Sequence, residues 1–110
     1  MQELQIERAA IRKQLNECLL FYKNCGRNLA GAERDFRVAL RKEFLRLHVE
    51  DNVAWTACEG LAKGDEAVAG LRFTRDIRKS DYAVTYEKIL VLKSELKIVE
   101  GDMFAERQGI

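Results

Sequence analysis

The sequence predicts an all-α fold: an antiparallel hairpin of two long helices with a short helix in the connection, coiled-coil-like, completing a helical bundle by oligomerisation. Three observations carry this. Proline is absent from all 110 residues, which removes the commonest helix breaker. Apolar residues recur at alternating steps of four and three in both halves of the chain. Aromatic residues are few, five Phe, three Tyr and one Trp, which suits a narrow helical seam better than a broad globular core. A chain of this length makes one domain, residues 1–110.

The first long helix is expected over about 2–47. Ile11, Leu15, Cys18, Tyr22, Cys25, Leu29, Ala32, Phe36 and Ala39 keep a 3.5-residue repeat, the coiled-coil signature. Leu40, Phe44 and Leu47 continue the stripe after a drift of one residue. Gly26 and Gly31 lie inside this helix, where glycine costs about 1 kcal/mol relative to alanine. A close helix approach or a bend would explain them equally well.

The pattern breaks from His48 to Asn52. Asn52 is placed to cap a short helix over about 53–61, on which Trp55, Cys58 and Leu61 share one face. Gly64 reads as a helix stop and Asp65 as the N-cap of a second long helix, about 65–107. Its apolar positions are Val68, Leu71, Tyr82, Tyr86, Ile89, Leu92, Leu96, Val99 and Met103. Between Leu71 and Tyr82 the interior positions fall on Arg75 and either Arg78 or Lys79, so positive charge interrupts the stripe. Leu15, Tyr22, Leu29, Phe36, Tyr86, Ile89 and Leu96 are expected to be largely buried in the assembled bundle. One stripe per helix rarely offsets chain entropy in so small a domain, so the natural partner is a second copy of the chain.

Composition narrows the function classes. Nineteen basic residues nearly balance eighteen acidic ones, and a net charge of +1 gives no global attraction to nucleic acid or membrane. Binding of either kind would need local clustering. The N-terminus lacks a basic segment followed by an apolar one, and no apolar run approaches the length of a bilayer span. With three cysteines, Cys18, Cys25 and Cys58, the expected setting is the reducing cytoplasm of a cell.

Chemistry-bearing motifs are sparse, and no enzymatic activity, cofactor or metal is expected. The sequence contains no CxxC, His48 is the single histidine, and neither phosphate-loop pattern is present. Cys58 and His48 are the one conceivable nucleophile–base pair, with nothing in the sequence to orient them.

Charge distribution is the informative feature. Residues 34–46 carry five basic against two acidic side chains, and residues 67–79 four against one, so each segment is +3. The stretch between them is acidic. Arg34, Arg37 and Arg41 stand at i, i+3 and i+7, and Arg72, Arg75 and Lys79 repeat that spacing. A hairpin turning near residue 56 brings both stripes to the same end. Phe36, Phe44 and Phe73 are interleaved with them, an arrangement suited to phosphate neutralisation with bases stacked on rings such as Phe73. The competing reading is a solvated surface on which Asp35, Glu43 and Asp76 pair with these arginines.

The second half reads Leu61-Ala62-Lys63-Gly64-Asp65-Glu66-Ala67-Val68-Ala69-Gly70-Leu71-Arg72-Phe73, with Tyr82, Ile89, Leu92-Lys93 and Lys97-Ile98-Val99-Glu100 beyond it. The first half carries Leu19, Tyr22, Leu29, Ala32-Glu33, Phe36-Arg37, Leu40, Glu43 and Leu47. Together these resemble an uncharacterised family of small helical proteins carried by phages and prophages of Gram-positive bacteria. A looser similarity runs to the UvsY-type recombination mediators of tailed phages. That resemblance implies self-assembly, binding to single-stranded DNA, and partnership with a phage recombinase or single-strand-binding protein in a bacterial host. The near-neutral charge departs from the mediator pattern, and no DNA-contact residue matches one for one. The rival expectation is a helical structural or adaptor protein that docks another protein without nucleic acid.

Overall fold

The structure, a computed structural model, describes residues 2–109. Its helices are α1 (Gln2–Val49), α2 (Trp55–Gly64) and α3 (Glu66–Arg107), and no strand occurs among the described residues. The all-α class and the long–short–long order are those expected from sequence. The chain divides into two compact units. A terminal unit takes the residues up to Asn24 and from Tyr82 onward, and a central unit takes Cys25–Asp81.

In the terminal unit α1 and α3 run antiparallel. Arg12 Nη2 meets Glu100 Oε1 at 3.3 Å, while the Tyr22 and Tyr82 rings stack at 4.4 Å. Ile11, Leu92, Val99 and Met103 are buried between the helices, with Leu4, Leu15, Cys18 and Leu96 packed against them. The expected α1 stripe is therefore the seam. On α3 the expected stripe holds except at one turn. Thr85 is buried beside Ile89, whereas Tyr86 is 47% exposed in the single chain. The stacked Tyr22–Tyr82 pair already fills the seam at that level, and the Tyr86 ring stands tilted at its rim, 6.0 Å from Tyr22.

In the central unit α3 again runs antiparallel to α1, with α2 between them in the chain. Phe36 is buried, and the Arg75 guanidinium lies over its ring at 4.7 Å. Leu47, Cys58 and Ala62 form a second core with Leu40, Phe44 and Val53. The face of α2 differs from the one expected. Cys58 and Ala62 point inward, while Trp55 and Leu61 are more than half exposed.

The connection also departs from expectation. Asn52 does not cap α2; it lies in the connection after α1, which ends at Val49, and takes the left-handed conformation (φ 54°) that asparagine tolerates better than most residues. The Val53 N–H then donates to the Leu47 carbonyl at 3.0 Å, and α2 starts after Ala54 with no side-chain cap. Asp65 acts as expected. Its carboxylate accepts from the Val68 N–H at 3.2 Å, which caps α3 immediately after α2 ends at Gly64. Among the described residues no helix is long and apolar enough to cross a membrane.

Two outcomes follow from this packing. A Cβ placed on Gly31 would meet nothing within 4 Å, so this glycine does not serve a close helix approach. Gly31→Ala should raise stability by about 0.5–1 kcal/mol, through helix propensity alone, and denaturant unfolding followed by circular dichroism measures it. The second outcome concerns Tyr22, whose phenol is pushed up to about 12, first by its hydrogen bond with Tyr82 and then by burial. Its folded pKa lies above the unfolded value. The stability it contributes is therefore complete below about pH 10 and is lost as pH rises through the folded value. Absorbance titration at 295 nm should show one of the three tyrosines ionising near pH 12, and Tyr82→Phe should return it toward 10.

Candidate nucleic-acid interface

All seven residues singled out in the sequence, Arg34, Arg37, Arg41, Arg72, Phe73, Arg75 and Lys79, belong to the central unit. The Phe36–Arg75 contact fixes the register of α1 against α3 there. At about 100° per residue, Arg34, Arg37 and Arg41 turn away from Phe36 by about 160°, 100° and 140° in one sense. Arg72 and Lys79 turn away from Arg75 by about 60° and 40° in that same sense. On antiparallel helices, equal senses of rotation from the facing line lead to the same flank. The two basic stripes thus border one side of the central unit, with Arg34 and Arg41 close to the outer face of α1.

The stripes are not uniform. Arg75 is drawn inward over Phe36, only 25% of its side chain is exposed, and its Nε and Nη2 donate to Asp76 Oδ1 at 3.1 and 2.9 Å. It is a packing and pairing residue more than a free phosphate ligand. Arg34 pairs with Asp35 at 3.3 Å and Arg37 with Glu33 at 3.2 Å, in largely exposed positions where solvent leaves such pairs about 0–1 kcal/mol. A phosphate can compete with contacts of that strength. Arg41, Arg72 and Lys79 make no ion pair among the described residues.

The aromatics sort themselves as clearly. Phe36 is core, whereas Phe73 is 66% exposed on α3 next to Arg72. The spacing sets Trp55 on one face of the short helix with Cys58 and Leu61 and gives no sign of its place beside the arginines. It is 59% exposed and held edge-on by Phe44 at 4.6 Å and His48 at 5.0 Å. With Phe44, Arg37, Arg41 and Glu59 it lines a groove of about 420 Å³. Nothing in local spacing announces this neighbourhood, because it forms only once α2 is laid against α1.

The remaining candidate chemistry resolves into structure. His48 Nδ1 lies 3.0 Å from the Val53 carbonyl oxygen. The fully buried Cys58 thiol points at the Val53 and Ala54 carbonyls at 3.6 and 3.3 Å. Both side chains serve the backbone of the connection. Cys25 is buried and Cys18 half-buried, and among the described residues no group of His, Cys, Asp and Glu is arranged to hold a metal. Comparison with known proteins finds no matching family model, no similar curated protein and no similar solved structure.

Arg46 organises the end of α1 below this flank. Its Nε and Nη2 grip Glu43 at 3.0 and 2.6 Å, and its Nη1 reaches Asp51 at 3.0 Å in the connection. The hydrogen bonds from Arg46 hold the Glu43 carboxyl below its usual range. A lowered folded pKa means stability that is present above the unfolded value and lost as pH falls through the folded one. Glu43→Gln should therefore lower the melting temperature at pH 7, and its difference from wild type should shrink below about pH 4, as thermal melts across that range would record.

Proposed function

We propose that this protein is a non-enzymatic, phage-derived helical protein that self-associates and binds single-stranded DNA as a recombination accessory in the bacterial cytoplasm. Its partners on this reading are copies of itself, DNA, and a phage recombinase or single-strand-binding protein. The phage setting rests on the family resemblance. The DNA reading rests on one observation in the central unit. Arg41, Arg72 and Lys79, without ion-pair partners among the described residues, border the same flank, beside the exposed rings of Trp55 and Phe73. Cations of this kind neutralise phosphates regardless of sequence, and exposed rings stack on unpaired bases. One patch of three free cations is weak, so copies linked by self-association supply the avidity.

A second reading, the adaptor that docks another protein, is favoured by the number of large apolar side chains left outside, including Leu20, Phe21, Val91, Ile98 and Phe104.

Fluorescence anisotropy with a labelled oligo-dT separates the two. Wild type should bind at low salt, with affinity falling steeply as salt rises. Replacing Arg41, Arg72 and Lys79 together by glutamine should weaken binding at least about tenfold and flatten the log–log salt slope by about 2, at ~0.7 per lost phosphate contact. Absence of wild-type binding at low salt would leave the adaptor reading in possession.

A further inference from the structure

The exposed side of α3 in the terminal unit carries a pattern that the hairpin does not use. Val84, Val91 and Ile98 stand seven residues apart and are 64%, 56% and 65% exposed. The same step reaches back to Ile77, 44% exposed, and forward to Ala105, half-buried. Strict seven-residue spacing keeps these side chains on one narrow stripe of the helix. The seam with α1 uses other positions, Ile89, Leu92, Val99 and Met103. Tyr86, Leu90 and Phe104, also exposed, lie outside both stripes. A helix apolar on so many sides is the inner helix of a larger bundle, not the outer helix of a pair.

We propose that this stripe is the self-association surface, and that its occupant is α3 of a second copy, antiparallel, about a twofold axis near Val91. The inference rests on the self-association proposed above and names the surface that carries it. The stripe is β-branched at Ile77, Val84, Val91 and Ile98, a residue type that fits helix seams with little rotamer freedom to lose.

Charge selects the second copy and its direction. Lys88 and Glu95 flank the stripe on one side, each four residues beyond a stripe valine, and neither makes an ion pair among the described residues. An antiparallel twofold at Val91 sets Val84 against the second copy's Ile98 and Lys88 against its Glu95, twice over by symmetry. A parallel pairing would carry the two copies of Lys88, and of Glu95, to opposite flanks, setting Lys88 beside Ala83 and Glu95 beside Leu90 of the other copy and leaving both charges without a partner. Across the stripe, Ser80, Ser94 and Gly101 are small enough to let a second helix come close, and Glu87 falls level with Ser94 of the other copy. Asp81, which the same operation brings near Asp102, already has Arg78 at 3.9 Å.

Disulfide trapping tests the surface and its direction together. Under mild oxidation Val91→Cys should cross-link to itself, because a dimer through this stripe centred on Val91 brings its two Cα atoms within the 4.4–6.8 Å that a disulfide spans, and the Val84 and Ile98 variants then read the direction. Val84→Cys mixed with Ile98→Cys should give the heterodimer, each alone giving little. Wild type, with its own three cysteines, is the background. Val91→Glu should weaken the dimer at least about a hundredfold in sedimentation equilibrium while circular dichroism stays that of wild type. Self-cross-linking of Val84→Cys and of Ile98→Cys without a heterodimer would overturn the antiparallel arrangement. A wild-type dimer that survives Val91→Glu and is not trapped through Val91→Cys would overturn this surface and leave self-association standing. Wild type sedimenting as a 12.7 kDa monomer would overturn self-association itself.

Discussion

A seam one side chain wide decides most of this structure. In either unit α1 meets α3 along a single stripe, and outside the core that α2 adds with Cys58 and Ala62 it is the side chains on that stripe that leave water. Ile11, Leu92, Val99 and Met103 close it in the terminal unit, and Phe36 sits in it in the central unit. Where these two helices pack alone there is no second layer, so apolar residues off the stripe remain on the surface whatever their propensity. The exposure of Phe21, Val91, Phe73 and Phe104 is thus a geometric consequence of the hairpin. The question it raises is what covers them, because contiguous apolar surface in water favours association.

The same narrowness explains the treatment of charge. Arg75 falls on the seam, where a bare cation would lose hydration without return. It keeps a quarter of its side chain in solvent, donates twice to Asp76, and lays its guanidinium on the Phe36 ring. Arginine does this more readily than lysine, since its planar, weakly hydrated head can lie flat on an aromatic face while its N–H groups still donate. Arg72 and Lys79, one turn to either side, turn outward and remain solvated. A spacing that looked like one stripe of three equivalent cations is one seam residue and two surface residues.

That distinction marks how far the sequence was legible. Heptad spacing from Ile11 to Ala39 located the inner face of α1, and Asp65 before Glu66 located the start of α3, because both signals are local and set by helix geometry. Thr85 was missed in favour of Tyr86, since spacing admits either residue at that turn and only the Tyr22–Tyr82 stack decides between them. The side chain of Asn52 suits an N-cap, and its backbone suits equally the left-handed position it takes in the connection after α1. Trp55 escaped because its neighbours Arg37, Arg41 and Phe44 come from another helix. Contacts made between elements leave no spacing in either one.

The two proposed surfaces also differ in what sustains them. The basic flank belongs to the central unit and depends on hydrated cations, whose attraction for phosphate weakens as counterions become plentiful. The Val84–Val91–Ile98 stripe belongs to the terminal unit, and its burial gains strength, if anything, as salt rises. No residue serves both. Salt therefore acts on the two steps in opposite directions: DNA release would precede dissociation of the helical assembly, and an assembly stripped of DNA would still hold its copies together. On the proposed reading, the multivalent form that supplies avidity would thus survive each release of DNA.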